Sequence, residues 1–327
     1  MTAIKKVPGS LSNMRLDKVS AEIFEDFSRT QLKKWIIEGR ILLNGDISSP
    51  KEIVQENDEI EINPVSEEKV SWEPEDIHID VIHETEHYLI VDKQPGIVMH
   101  PGAGCNNGTL ANGLVYHYPE LKNLPRCGIV HRLDKDTSGI LAVARTEKFR
   151  NYFVSLLQQR KIKKSYKAVV VGNVIGSFKI NDPIGRDKNN RLKMTVRSDG
   201  KESESFIQKE KDYDNYSLLN VSILTGRTHQ IRVHLANNQL PIIGDKTYNP
   251  AGRIAKNTSS ELIEIIRNFP RQALHSFQLS FFDPYLNNDV SFFSDMHKDM
   301  LKLLDEIKKH TKSVSYTHLT LPTSLIV

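Results

Sequence analysis

The sequence predicts an α+β protein in two domains: a small N-terminal module, and a larger domain built on a mostly antiparallel mixed sheet with flanking helices. Three observations lead there. The chain has 327 residues, enough for two domains, the larger with a full core. Short runs rich in Val, Ile and Leu outnumber the amphipathic stretches, and they lack the regular strand–helix alternation of a parallel sheet. The segment 64–77, PVSEEKVSWEPEDI, is acidic, carries two prolines and has little apolar content, so it reads as a linker. The expected domains are therefore 14–75, linker included, and 78–310.

Within the first module, Ser28 is placed to cap a helix running through RTQLKKWIIEG to a stop at Gly39. Leu32, Trp35 and Ile36 fall at helical spacing and should face a core, while Arg29 and Lys33, four residues apart, share another face. From Arg29 to Arg40 there are four basic residues and one acid, Glu38, a local charge of +3. ILLNG then reads as a strand entering a turn at Asn44-Gly45, and IVQENDEIEIN as one further strand.

The second domain offers YLIVDK, GILAVAR, YKAVVVG, KMTV and SLLNVSILTG as strands. Residues 147–160 form an amphipathic helix with Phe149, Tyr152, Phe153, Leu156 and Leu157 on one stripe, and 298–309 another with Met300, Leu303, Leu304 and Ile307. Residues 313–327, SVSYTHLTLPTSLIV, fit nothing before them and are expected to be a non-native tail.

Composition narrows the class. At 39% hydrophobic and 26% charged the chain resembles an ordinary soluble protein. MTAIKKVPGS has no apolar stretch behind its lysines, so no signal peptide is expected, and no run reaches the roughly 20 apolar residues of a membrane span. A cytoplasmic protein follows. Cys105 and Cys127 are too few for a disulfide framework or a four-thiolate zinc site. A net charge of +3 is mild, so the distribution of charge carries more information than its sum.

Three segments concentrate chemistry. In GIVHRLDKDTSGILAVAR (128–145), a polar knot sits between two apolar runs, where a loop on a rigid frame can present catalytic groups. A tight solvated turn has the same composition. A protein-kinase catalytic loop does not fit, because Leu133 separates the His-Arg pair from Asp134 and Gly139 stands where that motif needs Asn. In the stretch from Arg145 through Lys167, eight Lys or Arg against Glu147 give +7, with Tyr166 inside the basic run. A ring within such a patch suits base stacking beside phosphate neutralisation. In LTGRTHQIRVHLA (224–236), Thr228 is placed to cap a helix from His229, Ile231 and Leu235 should face the core, and Arg232 should point into a cleft. His229 and His234 lie five apart, which is wrong for a zinc pair on one helix face.

Together HRLDKDTSG, KSYKAVVVG and TGRTHQIRVH resemble, in order, the three motifs of the RluA-type pseudouridine synthases, joined by VMHPGAG, PIIGDKTY and RQALHSFQLSF. The likeness extends from Arg15 to about Lys309, and the N-terminal module is similar to an S4 RNA-binding domain. Among members of the family, the arrangement is most similar to those acting on a hairpin loop of 23S ribosomal RNA.

The resemblance implies an isomerase that flips a uridine out of the RNA, breaks its N1–C1′ bond and rejoins C5 to C1′. No electrons or groups enter, so it implies no cofactor and no metal. Asp134 matches the family's aspartate, which either attacks C1′ or removes a sugar proton. Arg232 matches its basic partner, which stabilises a charged carboxylate and fixes its direction. Tyr166 matches the tyrosine that packs on uracil and takes part in loss of the C5 proton. Arg132 matches a residue that fills the space of the flipped base, and His131 beside it is expected to help bind the substrate. Arg29 and Lys33 are expected to hold RNA through the S4-like module. The implied partner is 23S rRNA or its large-subunit precursor, with no membrane and with the enzyme acting as a monomer. A different rRNA site or tRNA is the first alternative, and an inactive RNA-binding assembly factor the second. Intact Asp134, Tyr166 and Arg232 argue against the latter.

Overall fold

The computed structural model describes residues 3–24, 27, 29–63, 73–102, 105–190 and 192–311. Two compact units divide the chain, Met1–Ser71 and Trp72–Val327. Ser28, most of the acidic segment and the tail 313–327 lie outside the described residues.

In the first unit, helices Leu16–Ile23 and Arg29–Ile37 pack on a four-stranded sheet ordered Ala3–Lys6, Glu59–Ile62, Ile41–Leu43, Asp46–Ile47. Leu32, Trp35 and Ile36 are buried with Leu16, Val19, Ile41 and Ile60, as their spacing requires. The second helix ends at a left-handed Gly39, and Asn44-Gly45, both left-handed, turn the hairpin. IVQENDEIEIN is two strands rather than one. Asn57 is left-handed and Asp58 caps the backbone of Gln55, so a turn separates Ile53–Val54 from Glu59–Ile62.

The second unit contains a nine-stranded sheet. Along it run Ser177–Ile180, Ser205–Tyr213, Tyr216–Ile223, Lys163–Val171, Leu274–Asp283, Ser138–Ala144, Tyr88–Lys93 and Asp80–Glu84, with Asn288–Phe293 paired to Leu274–Asp283. All pairings are antiparallel except that of Ser138–Ala144 with Leu274–Asp283. The sheet is thus mixed and mostly antiparallel, and the fold is α+β. Ser138–Ala144 is buried along its length, so alternate residues feed two cores. Ile140 and Ala142 meet Phe149 and Phe153 of the helix Glu147–Gln158, whereas Leu141 and Val143 join the larger core with Leu114, Leu235 and Leu303.

The parallel junction is where the polar knot enters the sheet. Gly139 has φ +109°, and a Cβ there would stand 2.2 Å from the Ser276 carbonyl oxygen, so only glycine permits this close approach. Residues 73–77 belong with this unit rather than hanging free. The Glu75 carboxylate accepts the Gly108 amide, Asn112 donates to the Glu73 carbonyl, and His117 meets the Ile77 carbonyl. No helix among the described residues is long and apolar enough to cross a membrane.

Candidate active site

The loop 131–137 leaves a 3-10 turn and enters the strand Ser138–Ala144. Its backbone is held from behind. Lys93, almost fully buried, donates its ammonium to the carbonyls of Lys135, Gln94 and Ile97 at 2.8, 2.8 and 3.0 Å. Burial pushes this lysine down to about 7, against the pull of nearby carboxylates. The buried Arg271 donates to the Asp136 carbonyl at 3.0 Å and forks onto Asp299, while Gln272 donates to the Thr137 hydroxyl. With both carbonyls gripped and Leu133 buried, the Asp134 side chain is left facing a cleft of about 1160 Å³.

The helix Gln230–Asn237 supplies its partner. Ile231 and Leu235 anchor it in the core, and Arg232 emerges toward the cleft. One guanidinium nitrogen donates to Asp134 at 3.0 Å. The other two donors close on Asp245 at 2.7 and 2.8 Å. Burial opposes the guanidinium charge, but the two carboxylates outweigh it and hold the proton more firmly than usual. Asp245 also accepts the Thr247 and Tyr248 amides. Its place follows from Gly244, whose φ is +74° and whose Cβ would sit 2.0 Å from the Arg271 carbonyl oxygen.

Thr228 is not the cap of this helix. His229 takes that position with φ +56°, a costly conformation for a residue with a side chain, and no side-chain cap bond forms there. Its Nδ1 meets the Tyr248 hydroxyl at 2.8 Å, and its Nε2 lies 3.9 Å from Asp134. The Tyr248 hydroxyl also accepts the Met194 amide, which ties it to the neighbouring strand. Burial lowers the affinity of His229 for a second proton, although Asp134 works the other way. His234 faces the protein interior, between Ser205 and the Asp182 carbonyl.

Tyr166 reaches the same cleft from the strand Lys163–Val171 and is 6% exposed. Burial raises its hydroxyl well above the ordinary tyrosine range, hydrogen bonding with Ser276 offsets part of this, and Asp134 adds to it. The ring is therefore a neutral phenol. Arg132 lines the cleft, is exposed, and makes no ion pair or hydrogen bond among the described residues. His131 also lines it, but its Nε2 accepts the Ala142 amide at 2.9 Å and its ring stacks on Phe153. Burial and the neighbouring Lys164 push it down to about 3, so the ring is neutral, and its bond to Ala142 ties the loop to the strand.

The fold thus brings Asp134, Arg232, Tyr166, Arg132 and His131 to one cleft. Arg29 and Lys33 belong to the other unit, where both are exposed and Arg29 donates to the buried Asp17 at 2.9 Å. The basic run around Tyr166 is less bare than its +7 suggests. Arg145 pairs with Glu84 and Glu120, Arg150 with Glu147, Arg160 with Glu202 and Lys167 with Glu210. Most of these acids come from distant sequence, which a count along the chain cannot see. Asp245, Tyr248 and Arg271 were not singled out either. The one sequence signal for them is that they lie in PIIGDKTY and RQALHSFQLSF, segments that belong to the family resemblance.

The profile of a family described as RNA pseudouridylate synthase matches residues 87–237, and that of the S4 domain matches 14–60. The chain is 37% identical over 307 residues to a Vibrio parahaemolyticus protein named ribosomal large subunit pseudouridine synthase D, spanning 94% of each chain. An Escherichia coli K12 protein of the same name is 37% identical over 90% of each. Among solved structures, human RNA pseudouridylate synthase domain containing 4 is similar in fold, with a TM-score of 0.56 and 22% identity over 70% of this chain and 93% of that one.

Proposed function

The chain belongs to the RNA pseudouridylate synthase family, isomerases that act on RNA, and from that premise we propose that it converts uridine to pseudouridine in a hairpin loop of 23S ribosomal RNA. The observation that carries this reading is the Asp134 carboxylate, held by Arg232 at 3.0 Å in the cleft that Tyr166 also lines. The large-subunit target rests on the names of relatives matched over nearly their whole length and on the S4 domain.

The reaction is self-contained. The N1–C1′ bond breaks, the uracil turns, C5 bonds to C1′, and C5 gives up one proton while N1 gains one. Electrons balance without an oxidant or reductant. Cleavage builds positive charge at C1′, which an ionised carboxylate can trap or stabilise, and the same group can instead remove a sugar proton. Arg232 aims that carboxylate and is a positioning residue. Tyr166 packs on the extruded uracil, and Arg132 takes the space the base leaves in the RNA.

Release of tritium from 5-tritiated uridine in ribosomal RNA, followed by mapping of the modified positions, tests this. The native chain should release tritium from large-subunit RNA, and Asp134→Ala should fold, bind RNA and release none. Substantial turnover by Asp134→Ala would remove the catalytic assignment. Turnover on tRNA alone would remove the proposed substrate, and binding without turnover would point to an assembly factor.

A further inference from the structure

Lys164 is 5% exposed, yet its ammonium has no carboxylate and no hydrogen-bond acceptor among the described residues. That is costly. A buried cation is normally paired, and one left without a partner loses its hydration for nothing. Its neighbours add to the cost. Arg227 lies close enough to depress its proton affinity, and the ammonium sits 3.3 Å from where a Cβ on Gly226 would be. Burial and Arg227 bring it down to about 8, so at neutral pH it is still mostly charged. Arg227 donates its Nε to the Glu202 carbonyl at 3.0 Å, and the Glu202 carboxylate within its reach is bonded to Arg160. Elsewhere in the cleft Asp134 is bonded to Arg232. Lys164 and Arg227 both line the cleft, and Lys164 precedes Tyr166 by two residues on the same strand.

We propose that Lys164, with Arg227 beside it, forms a subsite for one backbone phosphate of the RNA next to the flipped uridine. The proposal rests on the uridine-isomerising reading of the same cleft. Among the described residues Lys164 has no carboxylate, and Arg227 adjoins it with only its Nε engaged, on the Glu202 carbonyl, so the pair calls for an anion rather than a neutral uracil carbonyl. The phosphodiester joined to the reacting sugar is the anion such a substrate brings. Binding there fixes the nucleotide at its phosphate while Asp134 meets it at the sugar.

The test uses the full chain and an RNA hairpin it modifies, with each linkage around the target replaced in turn by an uncharged methylphosphonate. Native protein should lose about tenfold or more in kcat/KM at one linkage, through KM, the size expected for a charge-assisted hydrogen bond. Lys164→Met should show that loss on unmodified RNA and no further loss at that linkage, with a salt slope shallower by about 0.7. Lys164→Arg should recover most of the binding. The melting temperature of Lys164→Met should not fall, because the variant removes an unpaired buried charge. Losses that multiply at every linkage, or a Lys164→Met defect confined to kcat or to base analogues, would overturn the proposal. Binding of inorganic phosphate, followed by phosphorus NMR line broadening, is read apart from turnover. Broadening by native protein and not by Lys164→Met supports the subsite even if no RNA is modified, whereas equal broadening by both overturns it.

Discussion

Asp245 grips Arg232 through two parallel bonds of 2.7 and 2.8 Å, and this leaves one guanidinium nitrogen for Asp134. The arginine is not free to choose its direction. Asp245, 1% exposed and bonded to two backbone amides, fixes the plane of the guanidinium, and that plane fixes the bond to Asp134.

Asp245→Ala should therefore act on catalysis from behind. Breaking a buried pair should cost about 3 kcal/mol in stability. The freed Arg232 should lower kcat about tenfold or more, with RNA affinity within twofold of native. Arg232→Lys should behave similarly, because an ammonium cannot hold two carboxylates in one plane. Denaturant unfolding and steady-state kinetics check both, and a change confined to KM would deny the positioning role.

Tyr166 is a neutral phenol in the resting site, so its own ionisation should not shape activity below pH 9. If it assists loss of the C5 proton, Tyr166→Phe should slow tritium release by about a hundredfold, a usual size for lost acid–base assistance. A deuterium isotope effect at C5 should emerge in the variant. Its absence would restrict the residue to packing on uracil.

Acid should unfold this protein early. His131 is pushed down to about 3 by burial and Lys164, and His100 to about 4 by burial and Arg126. Each takes a proton more readily in the unfolded chain, near pH 6.5, than in the folded one. Their contribution is complete above pH 6.5 and is lost as pH falls toward 4 and then 3, at up to about 1.4 kcal/mol per pH unit for each. Melting temperatures from pH 7 to 4 should fall accordingly. His131→Gln, which keeps an acceptor for the Ala142 amide, should flatten the curve, and an unchanged curve would contradict the assignment.

The two basic residues of the S4 unit should separate. Lys33→Ala should weaken RNA binding and reduce its salt slope by about 0.7 to 0.9 per lost phosphate contact, without affecting stability. Arg29→Ala should do the same and also cost about 1 kcal/mol, because it strips one of two arginines from the buried Asp17. An unaltered salt slope in both variants would remove this face from the RNA interface.

Much of this is legible in the sequence. Periodicity located the helices carrying Trp35, Phe153 and Leu303, because burial on one face imposes a spacing that the sequence must obey. It misread IVQENDEIEIN, where a left-handed Asn57 breaks a pattern that alternates straight through. It also placed the cap at Thr228, since no propensity rule anticipates a histidine held left-handed by tertiary contacts.

By itself the sequence determined the α+β class, the family and the polar knot around Asp134, all of which reside in local composition and order. Tertiary structure alone decided which charges are spent and which remain. It paired Arg145, Arg160 and Lys167 with distant acids, set Asp245 behind Arg232, and left Lys164 buried with no counter-charge among the described residues. The physical reason is that an ion pair depends on separation in space and on exclusion of water, and a linear charge count measures neither.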